Sequence, residues 1–247
     1  MSICKKKIDV SIIATISIAT FILCFILPNS EASSAHIYGP NEKPYNKTYG
    51  EYAQMHWNAF ANLEPIHAAA SSSYQHQKCF FMKIDNKIFL QDFFSEGKKI
   101  RSFECTIPQL PIVIPALTES CNYGQFKPSE RTDENLYKCA AQAHNPYALV
   151  KVTIDGEIVK NINDYRKTSD FFLLNITNPH NWFGDKVGSW RALIDAIMLV
   201  VDLPVGEHDI RYEVTQLVPE SVMPNDLPVI TDVRYHLIVE SNQTTIK

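Results

Sequence analysis

The stretch Cys105-Thr-Ile-Pro-Gln-Leu-Pro-Ile-Val-Ile-Pro-Ala-Leu-Thr-Glu-Ser-Cys121 decides how this chain folds. Pro108, Pro111 and Pro115 bar it from a helix interior, because each lacks an N–H and clashes with the preceding turn. Each proline also pushes the residue before it toward extended geometry, so the segment reads as a buried or edge β-segment. It holds the most apolar run outside the N-terminal segment, Pro111 to Leu117. A cysteine stands at each end, and Cys79 upstream and Cys139 downstream are partners that can tether neighbouring elements.

Outward from this centre the period is two. Cys79 to Ile84 and Lys87 to Asp92 are short strands around an Asp85-Asn86 turn, and Lys99 to Ile107 alternates Phe103, Cys105 and Ile107 on one face. Beyond Cys121, Leu136, Cys139, Ala140 and Ala143 share one side of a helix expected over about residues 130–143. It opens at Pro128-Ser129 and stops at His144-Asn145-Pro146. Leu149 to Ile154 and Glu157 to Lys160 flank Asp155-Gly156, a strong hairpin signal. Further strands are expected over Ser169 to Thr177, Asp195 to Asp202, His208 to Thr215 and Asp232 to Glu240. Asn178 to Trp190 reads as a polar loop, and Leu203-Pro-Val-Gly206 as a turn.

Upstream, Thr48-Tyr-Gly-Glu51 fits a capping box. Tyr52, Met55, Ala59, Phe60 and Leu63 then recur at helical spacing, so a helix is expected over 49–63 with His56 and Trp57 beside its stripe. Strands at these intervals without intervening helices point to a sandwich. The expected fold is mainly β, an Ig-like or jelly-roll-like β-sandwich with one packed N-terminal helix and one disulfide-tethered helix. It forms a single domain over residues 36–247, with strands from 79 and Ig-like strands over 149–240.

The chain has 247 residues and a net charge of -4. Residues 1–35 carry three lysines against two acids, which leaves -5 for the remainder. A mildly acidic body without grouped Lys and Arg excludes nucleic acid as the expected partner. Lys5-Lys6-Lys7, the apolar stretch Val10 to Leu27, Pro28 and Ser33-Ser34-Ala35 together read as an export signal over residues 1–35. The same stretch, within residues 8–27, reaches the lower length of a membrane span, so an uncleaved N-terminal anchor is the alternative. The expected location is secreted or extracytoplasmic.

Cys4 and Cys24 fall in that segment, so four of the six cysteines remain, an even number. Their spacing contains no C-x-x-C, which favours two disulfides over a zinc site. Of the three connectivities, Cys79–Cys105 and Cys121–Cys139 are expected, because the first pair falls on adjacent strands and the second joins a strand end to the following helix. Pairing Cys105 with Cys121 would pinch the stiff proline-spaced segment into a loop. Asn46, Asn175 and Asn242 head glycosylation sequons.

Two resemblances rest on these motifs. Val152-Thr-Ile-Asp-Gly156, Phe171-Phe-Leu-Leu-Asn175 and Leu203-Pro-Val-Gly-Glu-His208-Asp-Ile210 resemble bacterial Ig-like modules, in which a V-D-G hairpin and an L-x-x-G-x-H turn open successive strands. The wider layout runs from the Tyr49-Gly50-Glu51 helix through Cys105-Thr-Ile-Pro108, Cys121 and Cys139 to that tail, and is similar to a family of exported microbial proteins. It departs from that family where Tyr52, His56 and Ala59 stand in place of tryptophan. The resemblance implies fold and export, and transfers no catalytic residue.

Chemistry is sparse. The eight histidines form no H-x-x-x-H or H-E-x-x-H, although His67 could meet His76, and His208 could meet His236. No metal and no cofactor is expected. There is no G-x-S-x-G elbow, and the glycines never cluster into a phosphate loop. Asp155, Asp195 and Asp202 are the carboxylates available for glycoside hydrolysis. The best recognition element is the loop bearing Trp182, Phe183 and Trp190, since aromatics on a rigid sandwich give large contact area at little entropic cost. The expected function is therefore a binding or cell-envelope protein with no catalytic site, its partner a carbohydrate or an envelope protein. The alternative is an extracellular hydrolase acting on a polymer such as a polysaccharide.

Overall fold

The computed structural model describes residues 34–63, 79, 81–91, 101–143, 148–181, 185–216 and 229–241. Residues 1–33, where the export signal is expected, the segments bearing His67 and His76 and bearing Pro219, Pro224 and Pro228, and Asn242 lie outside them. So do Trp182 and Phe183. Among the described residues, two sheets and two α-helices make up most of the regular structure. Sheet A has the order β1 (His36–Ile37), β10 (Gly188–Asp202), β5 (Ile112–Asn122), β3 (Lys87–Leu90), β2 (Phe81–Ile84). Two short strands, β8 (Arg166–Thr168) and β9 (Phe172–Ile176), extend the β1 side by pairing with β10. Sheet B has the order β4 (Arg101–Pro108), β12 (Val229–Glu240), β11 (Gly206–Gln216), β6 (Leu149–Ile154), β7 (Glu157–Ile158). The helices are α1 (Tyr49–Phe60) and α2 (Asp133–Ala143).

The Cys105–Cys121 stretch divides at its prolines. Pro108 ends β4, Pro111 sits in the turn, and β5 starts at Ile112. Pro115 lies inside β5, a central strand paired on both sides. The ladder slips there: Leu117 pairs Ile197 and Pro115 pairs Met198, so Ala116 is the extra residue of a bulge, where a missing donor is tolerated. The segment is thus two strands in different sheets. β4 runs parallel to β12 and β3 parallel to β5, while the other pairs are antiparallel. Both expected hairpin turns form. Asp85 and Asn86, and Asp155 and Gly156, all adopt positive φ, the geometry that matches strand twist.

The strand at the centre of sheet A is longer than expected. β10 begins at Gly188, so Trp190 is a strand residue and does not belong to the loop, and every residue from Ala192 to Val201 is buried. That continuity reflects cover on both faces. Leu193 joins Cys121, Leu136 and Ala140 in a small cluster under α2, while Ala192 and Ile194 point the other way into the main core. Sheet B closes that core with Tyr212, Tyr235, Leu237 and Val152, and leaves a charged outer face where Arg211 bonds Asp232 and Arg234 bonds Asp209. Between the sheets, the carbonyl of buried Gln91 accepts from the hydroxyls of both Tyr212 and Tyr235.

Helix α1 starts at the expected capping box, with Thr48 Oγ1 accepting from Glu51 N–H and Glu51 Oε2 accepting from Thr48 N–H. Its buried face differs from the expected stripe. Tyr49, Tyr52, Ala53, His56, Trp57 and Phe60 are buried, and Met55 and Ala59 are only half-buried. The true face repeats at three and four residues once His56 and Trp57 are counted as apolar. Close approach is possible because position 50 is glycine, where a Cβ would stand 3.1 Å from Ser169 Cα.

Asn58 on this helix and Asn62 just beyond its end seal the free edge of β9. Asn58 Oδ1 accepts from Asn175 N–H, and Asn62 Nδ2 donates to Asn175 O at 2.8 Å. Asn62 Oδ1 also accepts from Thr177 N–H at 2.7 Å and from the Thr177 hydroxyl at 2.9 Å. Side-chain amides here take the place of a neighbouring strand, one way of blocking an edge against foreign pairing. Asn62→Ala strips these bonds and is expected to cost about 2 kcal/mol, read as a lower urea midpoint at unchanged slope.

Both expected disulfides form. Cys79–Cys105 and Cys121–Cys139 span 26 and 18 residues. Such bonds persist in oxidising compartments. Among the described residues no helix is long and apolar enough to cross a membrane.

Candidate functional site

The base of the aromatic loop is built from side-chain clasps. Buried Asn181 donates from Nδ2 to Asn178 O and Asp185 O, and its Oδ1 accepts from Asp185 N–H at 3.0 Å. Asn181 and Asp185, which flank Trp182-Phe183-Gly184 in the sequence, are thereby held together. The Asp185 carboxylate in turn accepts from Asn122 Nδ2 at 2.9 Å and from Gln125 Nε2. Asn122 caps the short helical turn Tyr123–Gln125 through Gly124 N–H. The loop base is thus fixed to the end of β5.

Trp190 fills the space between these pieces. Its Nε1–H donates to Lys186 O at 2.7 Å. A Cβ on either Gly124 or Gly188 would come within 3.0 Å of the indole, and the Arg131 guanidinium lies 5.1 Å from the ring centroid. Gly188 has φ +150, so a side chain there is disfavoured twice, by conformation and by contact. The indole is boxed and half-buried, and its one donor is already used.

On the opposite face of β10, Arg191 forms a paired hydrogen bond with Asp133 at 2.8 and 2.9 Å, and Asp133 also accepts from the Tyr123 hydroxyl. These bonds hold the Asp133 carboxyl below the usual carboxylate range. The segment from Phe126 to Asp133 therefore wraps the end of sheet A, with Arg131 on the Trp190 side and Asp133 on the Arg191 side. The Cys121–Cys139 bond pins α2 to this end.

The three aspartates considered for hydrolysis do not form a pair. Asp195 is buried and accepts from Nε and Nη2 of Arg166. Asp202 accepts from Tyr38 and Tyr45. Asp155 accepts from Asp209 N–H and lies 2.8 Å from His208 Nδ1, whose Nε2 faces Pro204 O at 3.0 Å. Each carboxylate has its own structural role at a separate place. His208 and His236 also diverge: His208 pairs with Leu237 and His236 with Asp209, so the two rings project from opposite faces of sheet B. Among the described residues no group of His, Cys, Asp or Glu is arranged to hold a metal.

Comparison with protein families, with curated proteins and with solved structures finds no match to this chain. Function must therefore be read from the site. Asn181, Asp185, Gly124 and Arg131 are the members that sequence reasoning missed. Only the Asn-x-x-x-Asp spacing inside a polar loop could have signalled the clasp, and such spacing is common.

Proposed function

We propose that this protein is an exported binding module whose ligand surface is the Trp190 end of sheet A, with Trp182 and Phe183 as its contact residues. The boxed indole carries this reading. Trp190 is half-buried against its own protein with its one donor used, and its role is to support the loop base, leaving Trp182 and Phe183 to meet a ligand. A rigid frame under aromatic residues suits binding. Carbohydrate is the ligand class that fits, because sugar rings stack on aromatic faces and their hydroxyls suit the surrounding Asn, Asp, Gln and Arg side chains.

Several features support export. The lysine-led N-terminal segment, two disulfides and the exposed sequon residues Asn46 and Asn175 agree with a secreted glycoprotein, and Asn242 heads a third sequon. The Ig-like reading of residues 149–240 is supported by their contribution to both sheets, with β6, β7, β11 and β12 in one and β8, β9 and β10 in the other. Separate structural partners for Asp155, Asp195 and Asp202 favour binding over polysaccharide hydrolysis.

Calorimetric titration of the secreted full chain with envelope polysaccharide fragments tests this. Trp182→Ala is expected to weaken binding at least about tenfold, or ~1.4 kcal/mol, with an unchanged melting temperature. Trp190→Ala should lower the melting temperature as well. Release of new reducing ends, or binding indifferent to Trp182→Ala, would sink the proposal.

A further inference from the structure

The Arg191 face of sheet A presents a strip distinct from the Trp190 end. On it, Leu173 stands opposite Arg191, and Asn175 stands opposite Ser189. Leu173 is 60% exposed, unusual for a leucine in a paired strand. Phe171 continues the strip, with the Arg191 guanidinium 4.2 Å from its ring centroid and the half-exposed Tyr137 ring 5.4 Å away. Something with both polar and apolar surface would suit such a strip.

Asn175 supplies the occupant. It heads Asn175-Ile-Thr177, and its side chain is oriented: Oδ1 accepts from Ser189 Oγ at 2.5 Å, and Asn58 and Asn62 bond its backbone. Its Nδ2 has no hydrogen-bond partner among the described residues. Asn175 is itself exposed. Leu173 and Asn175 share one strand face about 7 Å apart, within reach of one sugar ring.

We propose that Asn175 Nδ2 carries an N-linked glycan whose first sugars lie over Leu173 toward Phe171 and cover the strip. The donor is a lipid-diphosphate oligosaccharide. Nδ2 forms the bond to the anomeric carbon, the bond from that carbon to the phosphate oxygen breaks, the lipid diphosphate leaves with the electron pair, and the amide loses one proton. The Thr177 hydroxyl, which the transfer needs free, is bonded to Asn62 in the fold. Transfer therefore precedes the docking of β9 on α1. This inference rests on the export reading.

The test expresses the full chain, with its own N-terminus, in a eukaryotic secretory host. Intact mass is expected to show a glycan that Asn175→Gln removes and Thr177→Ser keeps. Enzymatic deglycosylation, or Asn175→Gln, is expected to raise binding of an apolar fluorescent dye several-fold, and Leu173→Ser should reverse that rise. A chain glycosylated at Asn46 but bare at Asn175 overturns the inference and leaves export standing. A chain retained in the cytosol without any glycan overturns both. A glycan on Asn175 with dye binding unchanged by its removal overturns the covering role and leaves the strip to a protein partner.

Discussion

Replacing His56 with leucine is expected to flatten the acid side of this protein's stability curve. The imidazole is fully buried on α1, among Phe60 at 5.2 Å, Trp57 at 6.2 Å and Phe89 at 6.3 Å between ring centroids. Neither ring nitrogen has a hydrogen-bond partner among the described residues. Burial in this apolar setting disfavours the cation and pushes the pKa from 6.5 down to about 3.

The sign follows from which state binds the proton. Above pH 6.5 the ring is neutral in both states and adds no slope. Below it the unfolded chain takes up a proton that the folded chain refuses, so stability falls as the pH drops toward 3. The loss is about 1.4 kcal/mol per pH step, on the order of 5 kcal/mol in all. Carboxylates such as Glu51 and Asp209, held below their usual range by Thr48 and Arg234, add their own loss only at lower pH. The window between pH 6.5 and 5 therefore isolates histidine. Denaturant unfolding at the two ends of that window should show a loss of about 2 kcal/mol in the native protein and none of it in His56→Leu. At pH 7 the variant should be as stable or more so, because it removes two buried polar atoms that lack bonds. An equal loss in both proteins would assign the slope to another group.

His56 also marks where the sequence is hard to read. A histidine in a helical stripe counts as polar, and leaving it out displaced the expected face toward Met55, Ala59 and Leu63. The hairpins at Asp85-Asn86 and Asp155-Gly156 are legible because positive φ has few residue solutions. The alternation of Phe103, Cys105 and Ile107 is legible because one face of β4 is buried and the other is wet. β10 is obscure for the opposite reason. Covered on both faces, it has no alternation from Ala192 to Val201, and its first residues, Gly188-Ser189-Trp190, look like loop. β8 is too short and polar to signal itself and exists because β10 offers it an edge. The Trp190 box is illegible because it joins backbone carbonyls and absent Cβ atoms from three segments, none of which leaves a periodic trace.

Removing the Cys79–Cys105 bond should destabilise the whole sandwich, whereas removing Cys121–Cys139 should loosen one helix. Cys79 precedes β2, the last strand of sheet A, and Cys105 is buried on β4, the last strand of sheet B. The bond therefore joins the edge of one sheet to the edge of the other. Its 26-residue span implies about 3 kcal/mol of unfolded-state entropy, and the 18-residue span of Cys121–Cys139 implies nearly the same. The consequences differ because of what each bond holds. Cys121–Cys139 secures α2 over a small cluster whose buried members are Cys121, Leu136, Ala140 and Leu193, much smaller than the main core. Losing it leaves the main core intact, so α2 amides should exchange faster while the global melting temperature shifts less. Losing Cys79–Cys105 leaves sheet A held to sheet B on that side by buried Gln91 and the two tyrosine hydroxyls, and global unfolding should come earlier. Alanine at both positions of each pair avoids burying an unpaired hydroxyl and should leave the two cysteines of the other pair disulfide-bonded. Hydrogen exchange that quickens across both sheets in the Cys121→Ala, Cys139→Ala protein, with α2 no faster than the rest, would contradict this division of roles.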